Sequence, residues 1–260
     1  MRTIRSFAVA AVAAATLFLA GCVGASAAPV ASTAPAVSGE LTVSAAASLK
    51  GAFDEIAREF SAAYPAVGVV PFTYDGSSTL ATQIIGGNHV DVFASADKAN
   101  MQKVVDAGLA TGPQLFATNT LVIVVPKGNP AGITGLADLA KPGTTVVLCA
   151  PGVPCGTAAQ TLLANAGVTV TPASQEQNVT AVLTKVANGE ADAGIVYTTD
   201  AKANSNVQAI VPAGADKVVN QYPIVALDSA ADAPAAAAFV AFVLGPDGQA
   251  VLAKYGFGAP

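Results

Sequence analysis

The sequence predicts an α/β protein of two lobes, each a mostly parallel sheet flanked by helices. Short β-type runs alternate with segments of helical period, and the alternation occurs once in each half of the chain. About 220 residues follow an N-terminal leader, enough for one large domain or two small lobes.

In the first half, Leu41 to Ala45 is a strand candidate. Leu49, Phe53, Ile56 and Phe60 then recur at helical spacing, with Lys50, Asp54, Arg58 and Glu59 off that face. Val67 to Tyr74 is β-rich and precedes a short helix from about Ser78 to Ile85. Val90 to Ala94 is a strand, and Lys98 to Ala107 a helix. This βαβαβα rhythm calls for a parallel sheet covered on both faces. In the second half Leu121 to Val125 and Thr145 to Leu148 are strand-like, and Gly156 to Ala166 is helical. Val179, Val182, Leu183 and Val186 mark another helix, stopped by Asn188-Gly189. Ala193 to Tyr197 and Ile224 to Leu227 are buried-strand candidates. Two helices, from Pro234 to Leu244 and from Pro246 to Tyr255, are separated at Gly245-Pro246. Chain crossings near Asn119 and near Tyr222-Pro223 divide the protein into one lobe of residues 40–118 and 224–260 and a second of residues 119–223.

Residues 1–21 read as a secretion signal. Arg2 and Arg5 precede an apolar run from Phe7 to Ala20 that is too short to span a bilayer comfortably. The run ends in Leu19-Ala20-Gly21-Cys22, which resembles the bacterial lipobox, so Cys22 is the expected site of lipidation and the anchor to the outer face of the cell membrane. Residues 22–39, rich in Ala, Ser, Pro and Val, read as a flexible linker. Removing the leader takes the formal charge from −5 to −7, which argues against nucleic acid as a partner. With Cys22 lipidated, Cys149 and Cys155 remain as a pair in an oxidising compartment. A disulfide between them is the favoured reading, closing a short loop and contributing about 2 kcal/mol. Two free thiols or a metal site are the alternatives, and a lone His89 makes the metal site a poor one.

Four segments share a local grammar in which a strand or loop ends in small or polar residues and a helix begins. They are Ala45-Ala46-Ala47-Ser48, Gly76-Ser77-Ser78-Thr79, Val153-Pro154-Cys155-Gly156 and Gln177-Asn178-Val179. Helix starts leave backbone N–H groups unpaired and carry partial positive charge. Strand ends in a doubly wound sheet bring such starts to a common crevice. An anion held there needs no lysine or arginine, so an acidic protein can bind one. Each segment alone is no more than an N-cap or a turn.

Several blocks together resemble the periplasmic molybdate-binding proteins of ABC transporters. Leu41-Thr-Val-Ser-Ala-Ala-Ala-Ser48-Leu49 is similar to their opening strand and first binding loop. Ser77-Ser78-Thr79-Leu80-Ala81 with Gln83-Ile84 is similar to their second. The blocks Asp91 to Asp97, Leu121 to Pro126, Gly194 to Tyr197 and Lys254 to Phe257 fall in the family's order. The resemblance implies a two-lobe periplasmic-binding-protein-like fold of type II. It also implies an oxyanion ligand, molybdate or tungstate, and delivery by a monomer to the membrane permease of an ABC importer, with no cofactor. Its ligand set, carried over by position, is the hydroxyls of Ser48, Ser77 and Tyr197 with the backbone N–H groups of Cys155 and Val179. Ser77 rather than its neighbour Ser78 is the expected ligand. Where this chain has Cys155 relatives often carry alanine, and Thr82 and Thr180 stand where some carry arginine.

A tetrahedral dianion offers only acceptors, which suits a set made only of donors. Hydrogen bonds to a charged group contribute about 1.5–3 kcal/mol each. Hydrogen phosphate, which carries a proton, would want an acceptor, and the four segments contain no carboxylate, although Asp75 adjoins one. A sulfate or thiosulfate carrier is the alternative binding protein. A hydrolase is the rival class, disfavoured because His89 has no second histidine beside it in the composition. Tyr222 and Tyr255 read as core or rim packing.

Overall fold

The computed structural model describes residues 37–68 and 72–260. The predicted signal segment, Cys22 and the linker as far as residue 36 lie outside the described residues. Nine strands form one curled mixed sheet flanked by eight α-helices among the described residues. In the first lobe β1 (Val43–Ala46) leads through a 3-10 turn (Ala47–Leu49) into α1 (Lys50–Ala63). β2 (Phe72–Asp75) leads into α2 (Ser77–Ile85), and β3 (Val92–Ala94) precedes α3 (Lys98–Asp106). The long β4 (Gln114–Pro126) carries the chain into the second lobe. There follow β5 (Val146–Cys149), α4 (Pro154–Asn165), β6 (Ser174–Glu176), α5 (Val179–Ala187), β7 (Ala193–Tyr197), α6 (Thr198–Lys202) and β8 (Val207–Ile210). β9 (Val219–Ala226) returns to the first lobe, where α7 (Ala233–Leu244) and α8 (Pro246–Tyr255) end the chain.

The strand order is β2-β1-β3-β9-β4-β7-β5-β6, with β8 paired to β4. The parallel pairing expected from the βα alternation joins β1 to β2 and β3, and β5 to β6 and β7. The strands that change lobes are antiparallel to their neighbours, because β4 leaves the first lobe and β9 comes back to it. At about 3.3 Å per residue β4 is long enough to serve both lobes. Its first part pairs with β9 and its second with β7 and β8.

Each lobe has its own apolar core. In the first, Phe53, Phe60, Phe116 and Phe239 are fully buried and edge-packed, with Phe60 and Phe239 centroids 5.2 Å apart in a T-shaped pair. The helical spacing of Phe53, Ile56 and Phe60 produces the buried face of α1. In the second, Leu121 to Val125 and Ala193 to Tyr197 are buried on both sheet faces and so read as unbroken apolar runs. Among the described residues no single helix is long and apolar enough to cross a membrane.

The structure departs from the sequence expectations at a few elements. β4 begins seven residues before Leu121, at Gln114, where Gln114, Thr118, Asn119 and Thr120 interrupt the apolar pattern. β9 likewise begins at Val219 rather than Ile224. β6 and α6 carry too few apolar residues to announce themselves, and β8, Val-Gln-Ala-Ile, is too short. The end of the predicted linker is docked on the first lobe, where Gly39 N–H donates to Ala66 O at 3.1 Å and Val37 packs against the core.

Candidate functional site

Four helix starts converge at the carboxyl ends of the parallel strands. β1 delivers Ala47 and Ser48 to the 3-10 turn before α1, and β2 delivers Ser77 to the first turn of α2 behind the cap Gly76. From the second lobe, β5 leads to α4, where Val153 is the cap, Pro154 occupies the first turn and Cys155 follows. β6 leads to α5, capped by Asn178, whose side-chain oxygen accepts from Ala181 N at 2.9 Å. β7 ends at Tyr197. Ser48, Ser77, Cys155, Val179 and Tyr197, the five residues singled out in the sequence, all line one narrow pocket between the lobes. Ser78 does not line it. The pocket is narrow, too small for an extended metabolite or peptide.

The donors on the wall are uncharged, and no lysine or arginine lines the pocket. First-turn N–H groups of the helices have no intrahelical acceptor and aim outward along the helix axis. Ser48 Oγ lies 3.0 Å from Tyr222 Oη, and Ser77 Oγ accepts from Ala96 N at 2.9 Å. Tyr197 Oη accepts from Asn220 Nδ2 at 3.0 Å. Burial pushes the Tyr197 and Tyr222 phenols well up from their ordinary range, so both remain protonated donors. Their rings pack T-shaped, 5.9 Å apart. Beneath Tyr197, Asp200 accepts from its N–H at 3.1 Å, and burial pushes that carboxyl up to about 7.

Asp75 also lines the pocket, which its position beside the second segment did not reveal. Its Oδ1 accepts from Gly76 N at 2.7 Å and from Asn178 Nδ2 at 2.8 Å, so that oxygen is turned away to two donors. The second of these bonds joins the lobes, as does Asn100 Nδ2 donating to Gly152 O at 3.2 Å. The approach is close enough to require glycine, since a Cβ at Gly76 would overlap the Gln177 carbonyl oxygen.

Cys149 and Cys155 form a disulfide, with Cα atoms 5.7 Å apart, which rules out the free-thiol and metal readings of this pair. It ties the first turn of α4 to the end of β5. Sequence reasoning missed Asn119, Asn220 and the polar role of Tyr222. Tyr222 is core packing, as read, but its hydroxyl also reaches Ser48. No local signal marked the two asparagines, because the sequence places strands only from Leu121 and from Ile224, beyond both of them.

A two-lobe α/β fold with an anion-sized pocket between the lobes defines an extracytoplasmic solute-binding class. The family model described as bacterial extracellular solute-binding protein matches residues 41–258, and the chain belongs to that family. It is 43% identical over 222 residues to the molybdate-binding protein ModA of Mycobacterium tuberculosis, covering 85% of each chain. It is 34% identical to the protein of the same name from Escherichia coli, covering 88% of this chain and 92% of that one. Among solved structures, the periplasmic molybdate-binding protein of Azotobacter vinelandii shares the fold with a TM-score of 0.72 at 23% identity, over 85% of this chain and 99% of that one.

Proposed function

We propose that this protein captures molybdate, or tungstate, outside the cytoplasm and hands it to the membrane permease of an ABC importer. In this reading Ser48, Ser77 and Tyr197 donate through hydroxyls, and Cys155 and Val179 through backbone N–H groups. The carrying observation is the convergence of those five residues on one pocket whose wall holds no cationic side chain. The names of relatives at 43% and 34% identity support the choice of ion. Five to seven charge-assisted hydrogen bonds, at about 1.5–3 kcal/mol each, offset the lost freedom of the ion and the cost of lobe closure. The remainder corresponds to a Kd tighter than about 1 μM. The protein acts as a monomeric binding protein and not as an enzyme. Residues 40–118 with 224–260 and residues 119–223 are the two moving bodies, and β4 and β9 the hinge between them. Cys22 carries the lipid that holds the chain to the outer face of the membrane.

Isothermal titration with molybdate, tungstate, sulfate and phosphate at equal concentration tests this reading. Molybdate and tungstate are expected to bind at least about 100-fold more tightly than the smaller ions, which rigid donors reach less well. Sulfate binding as tightly as molybdate would overturn the choice of ion, and no binding of any of the four would overturn the function.

A further inference from the structure

We propose that Asn119 and Asn220 are positioning residues that fix the direction of the Tyr197 and Ser48 hydroxyl protons, so that both protons are left to the ligand. The inference rests on the reading of the pocket as an oxyanion site and concerns how that site aims its hydroxyl donors.

The two asparagines are directly opposed in the antiparallel register of β4 and β9, and both are buried. Opposed residues share a sheet face, and Tyr222, two residues after Asn220, lies on that face as well. Asn220 spends both hydrogens of its amide nitrogen, one on Ala96 O at 2.9 Å and one on Tyr197 Oη at 3.0 Å. A backbone carbonyl can only accept, so the amide cannot be turned the other way. Tyr197 Oη is therefore an acceptor toward Asn220, and its own proton must point elsewhere. Independently of Asn220, the Ala96 N–H donates to Ser77 Oγ at 2.9 Å and leaves the Ser77 proton unspent.

Asn119 does the equivalent on the other side. Its Oδ1 accepts from Thr120 N at 3.0 Å, which pins the amide. Its Nδ2 then reaches Thr199 Oγ1 at 2.8 Å and Tyr222 Oη at 3.5 Å. In the proposed arrangement Tyr222, whose oxygen faces the amide donor, gives its proton to Ser48 Oγ, 3.0 Å away, and the Ser48 proton is left over. Three hydroxyls on the pocket wall thus each receive one hydrogen bond from behind and keep one proton for the ligand. A dianion, which offers only acceptors, is matched by each of these protons.

Asn220→Asp keeps the side chain's shape and reverses its polarity, so the Tyr197 proton turns back to the new carboxylate. Molybdate titrations at about pH 8 are expected to show at least a 100-fold loss of affinity. Burial raises the pKa of the new carboxyl, and its protonation restores a donor. Affinity should therefore recover in part as pH falls toward about 6, where the wild type stays flat; a purely structural role for Asn220 gives no such pH profile. Tyr222→Phe, which deprives Ser48 of its fixing donor, should weaken molybdate five- to twentyfold without pH dependence. Thermal unfolding of the ligand-free variants checks folding. Should Asn220→Asp not fold, Tyr222→Phe decides alone, and binding within twofold of wild type overturns the proposal. A folded Asn220→Asp that binds within threefold of wild type, with an unchanged pH profile, overturns it too. Wild-type protein that binds neither molybdate, tungstate nor sulfate sinks the functional reading itself, which is a different result.

Discussion

The two lobes build their halves of the pocket from different materials. The first offers serine hydroxyls, Ser48 and Ser77, each at the start of a helix. The second contributes Cys155 and Val179, in the first turns of α4 and α5 and proposed to act through their backbone N–H groups, and a single phenol, Tyr197. A hydroxyl donor is lost with its side chain, whereas a backbone donor survives almost any substitution except proline. Side-chain identity should matter on the first lobe's face of the pocket and backbone geometry on the second's. In the proposed reading a cysteine can stand at position 155 for that reason, and it is also held in a disulfide.

The sharpest way to break this contrast is Val179→Pro. Val179 is the first residue of α5, where proline is tolerated, and Asn178 before it is already extended at φ −152° and ψ 165°. The variant should fold yet lose one charge-assisted bond and crowd the ion, for a loss of about 2–3 kcal/mol in titration calorimetry. Val179→Ala, by contrast, keeps the N–H and should bind within about threefold of wild type, though with lower thermal stability because the side chain is buried in the second core. Equal loss in both variants would abolish the distinction. Next in size, Ser48→Ala and Tyr197→Phe should each weaken binding by about 1–3 kcal/mol with the fold intact. Unchanged affinity in both would remove the hydroxyls from the site.

The smallest effect on binding is expected from the paired change Cys149→Ser with Cys155→Ser. The backbone donor at 155 remains, so affinity should fall by less than about fivefold, through the ordering that the shortened α4 entry loop no longer supplies. Stability should fall by about 2 kcal/mol, read as a lower Tm. A loss of affinity as large as that of Ser48→Ala would mean that the disulfide, and not the helix start, places the donor.

How much of this was legible follows from what each element carries in its own residues. The helix starts announce themselves locally, through Gly76-Ser77, Pro154 and Asn178, and the apolar periods of α1 and α5 are plain in the sequence. The crossing strands are not, because the first half of β4 and of β9 mixes Thr, Asn and Gln into positions that only tertiary pairing makes extended. Asn119 and Asn220 sit in those stretches, 101 residues apart, and nothing local marks them as partners. Asp75 was visible as a neighbour of the second segment, but its place on the pocket wall depends on Asn178 reaching across from the other lobe. Cys22 and the leader are legible by motif alone and lie outside the described residues.

The ionic-strength dependence of molybdate affinity tests most directly whether dipoles and hydroxyls, without any cation, hold the ion. A pocket with no cationic side chain on its wall, in an acidic protein, should bind equally well or slightly more tightly as sodium chloride rises from about 20 mM to about 500 mM, since screening only relieves the repulsion of the dianion. A tenfold or greater weakening over that range would mean that lysine or arginine carries the attraction, and would contradict the account.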